Sequence, residues 1–557
     1  MTRDTRKVLL LLAGVTLLRL LLLPLIGLGD AEAYYWVWSQ HPQLGYYDHA
    51  PGIAWLIRLF TEIGSSTPFW VRLGPVLVFP ATVYLLVLLG RELAPDDRGV
   101  GFRTALLCCV TPALALGGIS ASPDTLLALF WAGFTLLLVR ALTRGSGAAL
   151  LGAGACLGLA LVAKYFAVLL FPLLLVIFLR REHRRWWRRP VLYAAGVLAL
   201  AGMLPAVIWN AQNDWISFSF HLAQRHGAAG LSLANLGRLV GGQLAYLSPV
   251  LLPGLLWAAI ECWSRGRGGY RWRSRDHRGL ETRGQDAAGS PPGGGLGAEP
   301  FGLGAKPHTD RGLIARGEPV QRTWSVLFWL TTPYLLFWFL ATLLTPEAEP
   351  HWPLMGYLPL FPALAALWPG RLARAAGSGQ RRLRRAGIAA VVVALALDLV
   401  VHVHVLTPWL ARAMPDALYA ANARWDIGNE LHGWPEVGRA LRERVRAGQG
   451  SFVFAYHYTL CSQLSLALHP AVPVRCPNRR TDAFDLLGLG EGLAGADGIF
   501  VGDWRYQDPP DTVVSCAMLD PEPELFEVFR GGLKAREFRF WRCRGYGGLS
   551  ADGDGGR

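Results

Sequence analysis

Two carboxylates followed by a run of aromatic residues stand near the N-terminus, in the segment 29–54, which reads G-D-A-E-A-Y-Y-W-V-W-S-Q-H-P-Q-L-G-Y-Y-D-H-A-P-G-I-A. Asp30 and Glu32 lie two positions apart, so on a helix they point in different directions and only one is expected to face a shared site. Partial burial at a membrane surface raises the pKa of a carboxylate towards working pH, where it can act as a general base. Both are therefore candidate catalytic residues; the alternative is that they only mark the membrane interface.

The same segment also contains an adjacent carboxylate and imidazole, Asp48 and His49, in the sequence Y-Y-D-H-A-P. Such a pair can bind a divalent metal cation or a phosphate. The alternative is a turn acid that precedes Pro51. The aromatic residues of the segment have the composition of an interfacial belt, and their rings could also stack on a sugar. They are Tyr34, Tyr35, Trp36, Trp38, Tyr46 and Tyr47.

Later positions place charges beside predicted membrane spans. Asp124, in A-S-P-D-T, opens a span, where stabilisation of the helix dipole is the ordinary explanation for an acid. Lys164 is costly at membrane depth, so it is expected to pair with a phosphate or an acid, unless its side chain extends to the interface. Glu349 and His351, in T-P-E-A-E-P-H-W, either complete the site from the far side of the helix bundle or belong to a solvated connector.

The composition defines the class of protein. Of 557 residues, 52% are hydrophobic and only 17% are charged, which is too apolar for a soluble protein of this size and is typical of a polytopic membrane protein. The net charge of +14 comes mainly from arginines beside apolar runs. This excess indicates membrane topology and contact with anionic lipids, and it argues against a nucleic-acid partner, which would need a basic face on a soluble module.

Eleven apolar runs predict the membrane topology. The first, 8–28, follows the basic sequence M-T-R-D-T-R-K and lacks a small-residue cleavage site, so we interpret it as a retained span with a cytoplasmic N-terminus. Alternation is supported because every Arg-rich connector then lies on the cytoplasmic side. The two shortest runs, on either side of Lys164, could instead form a re-entrant hairpin. The other runs are 71–90, 104–119, 125–142, 148–163, 165–178, 191–209, 239–260, 324–344, 353–368 and 388–406.

The predicted organisation has two domains. Residues 1–406 form an α-helical polytopic membrane domain, in which 29–70 is the first outer loop. The stretch 263–323 is rich in Gly, Arg and Pro, has few large apolar residues and is predicted to be a disordered cytoplasmic insert. Residues 407–557 are expected to form a small α/β domain outside the cytoplasm.

Within 407–557, the sequences S-F-V-F-A-Y, G-I-F-V-G and R-E-F-R-F-W-R-C predict short strands. L-C-S-Q-L-S-L-A-L and P-E-V-G-R-A-L-R-E-R-V predict amphipathic helices. Four cysteines lie here, in a compartment where disulfides persist, and three pairings are possible. They are Cys461, Cys476, Cys516 and Cys543. The chain has no C-x-x-C, H-E-x-x-H or G-x-x-x-x-G-K-[ST] sequence, so neither a structural zinc site nor a soluble nucleotide site is predicted.

Several motifs recur in a characteristic order from about residue 8 to 510. They are G-D-A-E-A-Y-Y-W-V-W-S-Q-H, G-Y-Y-D-H-A-P-G-I-A-W-L-I, S-P-D-T-L-L, V-A-K-Y, W-N-A-Q-N-D-W-I-S-F-S-F, E-P-H-W-P and H-G-W-P-E-V. In these motifs the chain resembles the bacterial lipid-linked-sugar glycosyltransferases, the superfamily that includes the protein O-mannosyltransferases and the lipid A aminoarabinose transferase. The resemblance implies a GT-C fold, a polyprenyl-phosphate sugar donor, and inverting transfer of a hexose or pentose at the outer face of the bacterial cytoplasmic membrane.

The resemblance also implies roles for individual residues. An acid at the end of the first span acts as the base or orients the acceptor; this role carries over to Asp30, with Glu32 as the alternative, because Ala31 occupies the family's Asp position in a gapless alignment. A second acid binds a divalent metal cation near the donor phosphate, and this role carries over to Asp48, with His49 beside the phosphate. The residues expected to bind the donor phosphate or its sugar are His49, Lys164, Tyr34, Tyr35, Tyr47, Asp124, Glu349 and His351.

Two other classes of function bring many spans and intramembrane charge. A membrane transporter or flippase of lipid-linked sugars without transferase activity is the main alternative. It predicts two related halves with interrupted spans, and the sequence shows no such repeat. A non-catalytic subunit that binds lipid-linked sugar is the weaker one. The sugar and the acceptor, whether protein, lipid or cell-envelope glycan, are left open.

Overall fold

The structure is a computed structural model that describes residues 1–221, 233–266, 311–344, 349–490 and 493–550. Up to Leu406, the elements of the described residues are all helices. Its helices are α1 (Arg3–Leu22), α2 (Asp30–Gln40), α3 (Gly52–Ile63), α4 (Pro68–Leu93), α5 (Val100–Val110), α6 (Pro112–Gly117), α7 (Pro123–Arg144), α8 (Gly147–Ala163), α9 (Leu170–Leu179), α10 (Pro190–Ala201), α11 (Leu204–Gln212), α12 (Ile216–Ser219), α13 (Leu233–Leu247), α14 (Leu251–Gly266), α15 (Arg311–Leu344), α16 (Leu354–Tyr357), α17 (Leu360–Arg374) and α18 (Gly377–Leu406).

The chain is a multi-pass membrane protein. Among the described residues, 5 helices are long and apolar enough to cross a membrane, and counting each of two bent helix pairs as one span gives up to 7. The five are α1 with the turn that follows it, α4, α7, the part of α15 from Val320, and α18. Helices α5 and α8 and the segment Tyr165–Leu179 are apolar but shorter. The predicted polytopic class is confirmed, and the number of eleven spans stays a prediction.

Two predicted runs are interrupted by prolines. The run 104–119 divides into α5 and α6 at Thr111, because Pro112 has no backbone N–H and begins a new helix. The run 239–260, predicted as one span, consists of α13 and α14, which meet at an angle of 96°. Ser248 at this bend has φ 70° and precedes Pro249, and a proline disfavours the helical conformation in the residue before it. The run 239–260 is therefore a bent helix pair, and its interpretation as one span stays a prediction.

The segment 29–70, interpreted from the sequence as a loop, contains the two helices α2 and α3. Helix α3 buries Ile53 and Ile57 and exposes Leu59 and Ile63, so one apolar face packs inward and another is left for its surroundings. At Gly52 an added Cβ would lie 2.7 Å from the carbonyl oxygen of Val162, at the end of α8. This close approach needs glycine and holds the start of α3 against the end of α8, two residues before Lys164.

A domain with a mixed sheet follows α18. Its elements are α19 (Trp409–Arg412), α20 (Asp416–Asn422), α21 (Ile427–Glu430), α22 (Trp434–Arg446), β1 (Phe452–Phe454), α23 (Tyr458–Leu468), β2 (Val474–Arg475), α24 (Ala483–Leu486), β3 (Gly498–Asp503), β4 (Val514–Leu519), β5 (Glu524–Arg530) and β6 (Leu533–Leu549). The strand order is β2-β1-β3-β6-β4, and β5 also pairs with β6. Strands β1, β2 and β3 are parallel, whereas β6 is antiparallel to its partners.

The predicted strands coincide with β1, β3 and β6, and the predicted helices with α22 and α23. Strand β2 escapes prediction because it is only 2 residues long, and β4 and β5 because much of each strand is exposed and lacks a regular apolar alternation. Of the predicted insert 263–323, residues 263–266 end α14 and 311–323 belong to α15. Residues 267–310 lie outside the described residues, so the predicted disorder is untested there.

Two disulfides select one of the three possible pairings, Cys461 with Cys476 and Cys516 with Cys543. The first joins α23 to the end of β2 and the second joins β4 to β6. We expect the double replacement Cys461→Ala, Cys476→Ala to lower the free energy of unfolding by about 3 kcal/mol, because this bond closes a loop of about 15 residues and restricts the unfolded chain. Denaturant unfolding followed by near-UV circular dichroism measures the loss. The free thiol Cys156 offers the control Cys156→Ala, and equal midpoints for both variants would contradict the expectation.

Candidate active site

Helix α2 connects the membrane helices to the sheet domain. Its buried rings, including Tyr34, Trp36 and Trp38, share one hydrophobic core with residues of α23 and the sheet, such as Leu464 and Val501. The carboxylates and aromatic residues that the sequence singles out therefore lie at the junction of two domains.

Asp30, the first residue of α2, is buried and paired with the sheet domain. One carboxylate oxygen accepts a hydrogen bond from Gln463 Nε2 at 3.1 Å, and the other accepts from Arg505 Nη1 at 2.6 Å. The Asp30 backbone N–H donates to Glu430 Oε1 at 3.0 Å. The pKa of Arg505 is raised, since the charges of Asp503 and Asp30 outweigh the opposing effect of burial. Asp30 is thus held by three side chains of the C-terminal part of the chain.

Glu32, two residues further on, is also buried and forms an ion pair with Arg72 of α4. Its carboxylate also accepts from the backbone N–H of Gly29 at 2.9 Å and of Ala121 at 2.8 Å. Burial alone would raise the pKa of Glu32, but the charge and hydrogen bonds of Arg72 lower it. Arg72 also donates to the carbonyl of Ile26 at 2.8 Å. The contacts of Glu32 therefore join the start of α2 to α4 and to the residues before α7.

Asp48 lines a cavity of about 240 Å³, which lies between residues 29–54, called the first segment below, and the sheet domain. Its Oδ2 accepts a hydrogen bond from the hydroxyl of Tyr34 at 2.7 Å, and its carbonyl oxygen lies 2.9 Å from His221 Nε2. Burial and the charge of Asp48 raise the pKa of Tyr34, which keeps this hydroxyl protonated. Tyr47 lines the same cavity and packs against Phe220, with the ring centroids 4.8 Å apart and the rings tilted by 37°. Neither Asp30 nor Glu32 lines it.

A second cluster surrounds Asp124 at the start of α7. Lys164 Nζ lies 2.9 Å from both carboxylate oxygens of Asp124, and His351 Nε2 lies 3.8 Å from one of them. His49 is close enough to Asp124 to interact with its charge. The end of α8, the segment before α16 and the first segment thus bring one acid and three basic side chains together. Lys164 is thus paired with an acid, which is one of the two partners expected from the cost of burying its charge in a membrane.

Two predicted site residues are peripheral to these clusters. Glu349 is exposed, although its charge reaches Tyr246, which also interacts with Asp124. Tyr35 stacks at 4.9 Å from Trp38, and its ring centroid lies 6.3 Å from that of His49.

The described residues include no group of three or more His, Cys, Asp or Glu side chains arranged to hold a metal ion. Asp48 and His49 are adjacent, but Asp48 borders the cavity while His49 approaches Asp124. The side chains of the described residues therefore do not by themselves form a cation site, and we derive no step through a metal. The predicted metal is untested.

Sequence reasoning missed four residues that hold the site together: Arg72, His221, Gln463 and Arg505. His221 directly follows the motif W-N-A-Q-N-D-W-I-S-F-S-F, which was a usable signal. Within it, Asn210 Oδ1 accepts from the N–H of Phe218 at 3.1 Å and shapes the turn that leads to His221. Gln463 and Arg505 carry no local signal, because their partner Asp30 is more than 430 positions away.

Asp482, at the cavity wall, provides a test of the electrostatics. Burial, opposed by hydrogen bonds from Phe484 N–H and Asn478, raises the pKa of Asp482 to about 7. The folded protein therefore keeps a proton that the unfolded chain loses, and this group makes stability fall as pH rises from about 4 to about 7. We expect Asp482→Asn to raise the unfolding temperature at pH 8 and to raise it by less at pH 5. The limiting gain is about 4 kcal/mol. Equal shifts at both pH values would contradict the assignment.

The chain is similar to known proteins in both sequence and structure. Residues 48–209 match the family model described as dolichyl-phosphate-mannose-protein mannosyltransferase. The structure superposes on that of ArnT from Cupriavidus metallidurans in the apo state with a TM-score of 0.56 and 13% identity, covering 97% of this chain and 98% of that one. The chain has the GT-C fold of the ArnT-like glycosyltransferases.

A second GT-C structure, ArnT from the same organism bound to undecaprenyl phosphate, gives a TM-score of 0.55 at 15% identity, with 96% of this chain and 98% of that chain covered. Among curated proteins, the lipid A galacturonosyltransferase RgtD of Rhizobium johnstonii is 33% identical over 273 residues. That alignment covers 47% of this chain and spans 55% of the length of the relative. The GT-C fold implied by the sequence motifs is confirmed.

Proposed function

We propose that this chain is an inverting glycosyltransferase that moves a sugar from a polyprenyl-phosphate donor to an acceptor at the outer face of the bacterial cytoplasmic membrane. One observation carries the proposal: the consecutive residues Asp48 and His49 face two different parts of the candidate site. Asp48 borders the cavity beneath the sheet domain, whereas His49 approaches the cluster of Asp124, Lys164 and His351. An acceptor bound in the cavity and a lipid phosphate bound at the cluster of Asp124, Lys164 and His351 would therefore lie on the two sides of Asp48 and His49, close to each other.

The chemistry follows from the charges. In the reaction, an acceptor hydroxyl or amine attacks the anomeric carbon and loses its proton, while the bond from that carbon to the lipid phosphate oxygen breaks. Asp48 is the carboxylate placed to take the proton, and Lys164, with His49 and His351, is placed to stabilise the negative charge on the departing phosphate. A single displacement of this kind inverts the anomeric configuration. In the absence of donor, Asp124 balances Lys164.

The sequence motifs favour Asp30 as the base, and the contacts favour Asp48. Both oxygens of Asp30 are occupied by Gln463 and Arg505, and Asp30 is not part of the cavity wall. We propose that Asp30 positions α2 against the sheet domain.

The relatives support the donor and suggest an acceptor to test first. The matching family model is named for a lipid-phosphate sugar, and one ArnT structure contains undecaprenyl phosphate. RgtD is named for transfer to lipid A. We therefore propose a membrane glycolipid of the cell envelope as the first acceptor class. We also propose a cytoplasmic N-terminus, a membrane domain up to residue 406 and an extracytoplasmic domain from residue 407.

A reconstituted assay tests this function. Purified protein in liposomes receives a set of polyprenyl-phosphate sugars and lipid A, and the products are identified by mass spectrometry. Formation of a glycosylated acceptor with release of polyprenyl phosphate is expected. Movement of the donor across the bilayer without any transferred sugar would instead indicate the flippase. A parallel reaction with a chelator tests the predicted metal.

The two candidate bases can be separated by conservative variants. We expect Asp48→Asn to lower the rate of transfer by about 100-fold or more, the usual contribution of a general base. Asp30→Asn is expected to retain measurable transfer and to lower thermal stability, because it weakens the bond to Arg505. The exposed Asp416→Asn is the control for charge. Full activity in Asp48→Asn together with complete loss in Asp30→Asn would reverse the assignment.

A further inference from the structure

The cavity that Asp48 borders has a second wall, formed entirely by the sheet domain. Tyr456, His457 and Tyr458 lie at the end of β1 and the start of α23, and residues 478–482 follow β2. Nothing in the reaction described above uses these side chains. Their position opposite Tyr34, Tyr47 and Asp48 makes this wall the natural place for the part of a substrate that does not react.

The shape and lining of the cavity suit one sugar ring. A volume of about 240 Å³ lies below the roughly 300 to 1,000 Å³ of pockets for drug-sized ligands. Tyr47 and Tyr458 present aromatic surface on which the C–H groups of a sugar can rest, and Asn478 and Thr481 offer hydrogen-bonding groups. Burial and the charge of Arg505 lower the pKa of His457 to about 4, so its imidazole is neutral.

The charged side chains that line the cavity differ in their partners among the described residues. Asp48 accepts a hydrogen bond from Tyr34, and Asp482 accepts bonds from Phe484 N–H at 2.7 Å and from Asn478 at 2.8 Å. Arg479 donates to the carbonyl of Thr512 at 3.0 Å.

Arg480 differs from these groups. Its guanidinium lies 5.8 Å from the centroid of the Phe220 ring, and within the described ranges it has no ion pair and no hydrogen bond. Its charge nevertheless reaches Tyr47, Tyr458 and His457, so it faces the cavity. An exposed guanidinium beside aromatic rings is suited to a carboxylate or phosphate, to which it can donate two parallel hydrogen bonds.

We propose that this cavity binds an anionic sugar residue, with its carboxylate or phosphate on Arg480 and its ring against Tyr47 and Tyr458. The inference rests on the proposed glycosyltransferase function and names the substrate class of its site. In that function the cavity holds the acceptor, so the anionic residue would belong to the acceptor. The charge of Asp48 disfavours an anion deeper in the cavity, which leaves the mouth near Arg480 as the place for the anionic group.

Ligand binding to the full-length protein in nanodiscs tests the proposal independently of transfer. The probes are galacturonate, galactose and galactose 6-phosphate, and saturation-transfer NMR with titration gives their affinities. Galacturonate or galactose 6-phosphate is expected to bind at least tenfold more tightly than galactose, and the tighter of the two identifies the anionic group. Arg480→Gln should remove the preference, and Arg480→Lys should retain part of it. The exposed Arg439→Gln, on α22, makes the same charge change away from the cavity and should leave the preference intact.

The outcomes test the anionic-sugar site separately from the proposed glycosyltransferase function. Equal affinity for galactose and both anionic probes, binding of none of them, or an unchanged preference in Arg480→Gln would overturn the anionic site even if transfer is observed. Conversely, an Arg480-dependent preference with no transfer from any donor supports an anionic-sugar site in a protein that is not a transferase.

Discussion

Replacing Lys164 with methionine is expected to lower the rate of sugar transfer by at least about 100-fold. Lys164 is almost fully buried, and its ammonium group lies 2.9 Å from both oxygens of Asp124. At the moment of transfer the lipid phosphate gains a further negative charge, and a preorganised cation stabilises that charge strongly. Removal of a single such group typically costs a factor of about 100 to 1,000 in rate. The measurement is the initial rate in the liposome assay at saturating donor.

Two further variants distinguish loss of chemistry from loss of structure. Lys164→Met leaves Asp124 without its ion pair, so the double variant Lys164→Met, Asp124→Asn removes the uncompensated charge. We expect the double variant to regain thermal stability and to stay inactive, because the phosphate still lacks its cation. Lys164→Arg, which keeps the charge, is expected to retain part of the activity. Activity in the double variant close to that of the unmodified protein would refute a role for Lys164 in the reaction.

The second large effect concerns folding. We expect Arg72→Met to lower the free energy of unfolding by about 3 to 5 kcal/mol, the usual cost of breaking a buried ion pair. The change leaves Glu32 buried without its cation and deprives the carbonyls of Ile26 and Gly27 of a donor. These groups lie at the start of α2, so the loss also loosens the segment that carries the candidate site. Thermal unfolding of the purified protein, followed by circular dichroism, measures the effect.

A double-variant cycle isolates the pair. Glu32→Gln and Arg72→Met are measured singly and together, and we expect the double variant to be less destabilised than the sum of the two. The pH dependence gives an independent check. Because the pKa of Glu32 is lowered in the fold, its contribution to stability is full above the ordinary carboxylate pKa of about 4.3 and is lost as the pH falls below it. Arg72→Met should remove this acid sensitivity. Additive effects at neutral pH would show that the two side chains do not interact.

The sequence determined the elements whose causes are local. Hydropathy and length predict α1, α4, α7 and α18, because a helix that crosses a bilayer must be about 20 apolar residues long. Periodicity predicts α22 and α23 in the sheet domain, because each turns one apolar face to a core. The order of the motifs indicated the GT-C fold, and the residue types alone indicated acids, basic groups and aromatic rings suited to a phosphorylated sugar.

Tertiary structure decided which of those groups meet. Asp30 and Arg505 are 475 positions apart, so no local sequence pattern predicts their ion pair. Asp48 lines the cavity, whereas Asp30 does not. Arg480 likewise acquires significance only when β2 carries it to the first segment. The pairing of four cysteines required the strand register. Side chains distant in sequence are brought together by packing of whole elements, and that packing depends on the summed burial of many residues rather than on any motif.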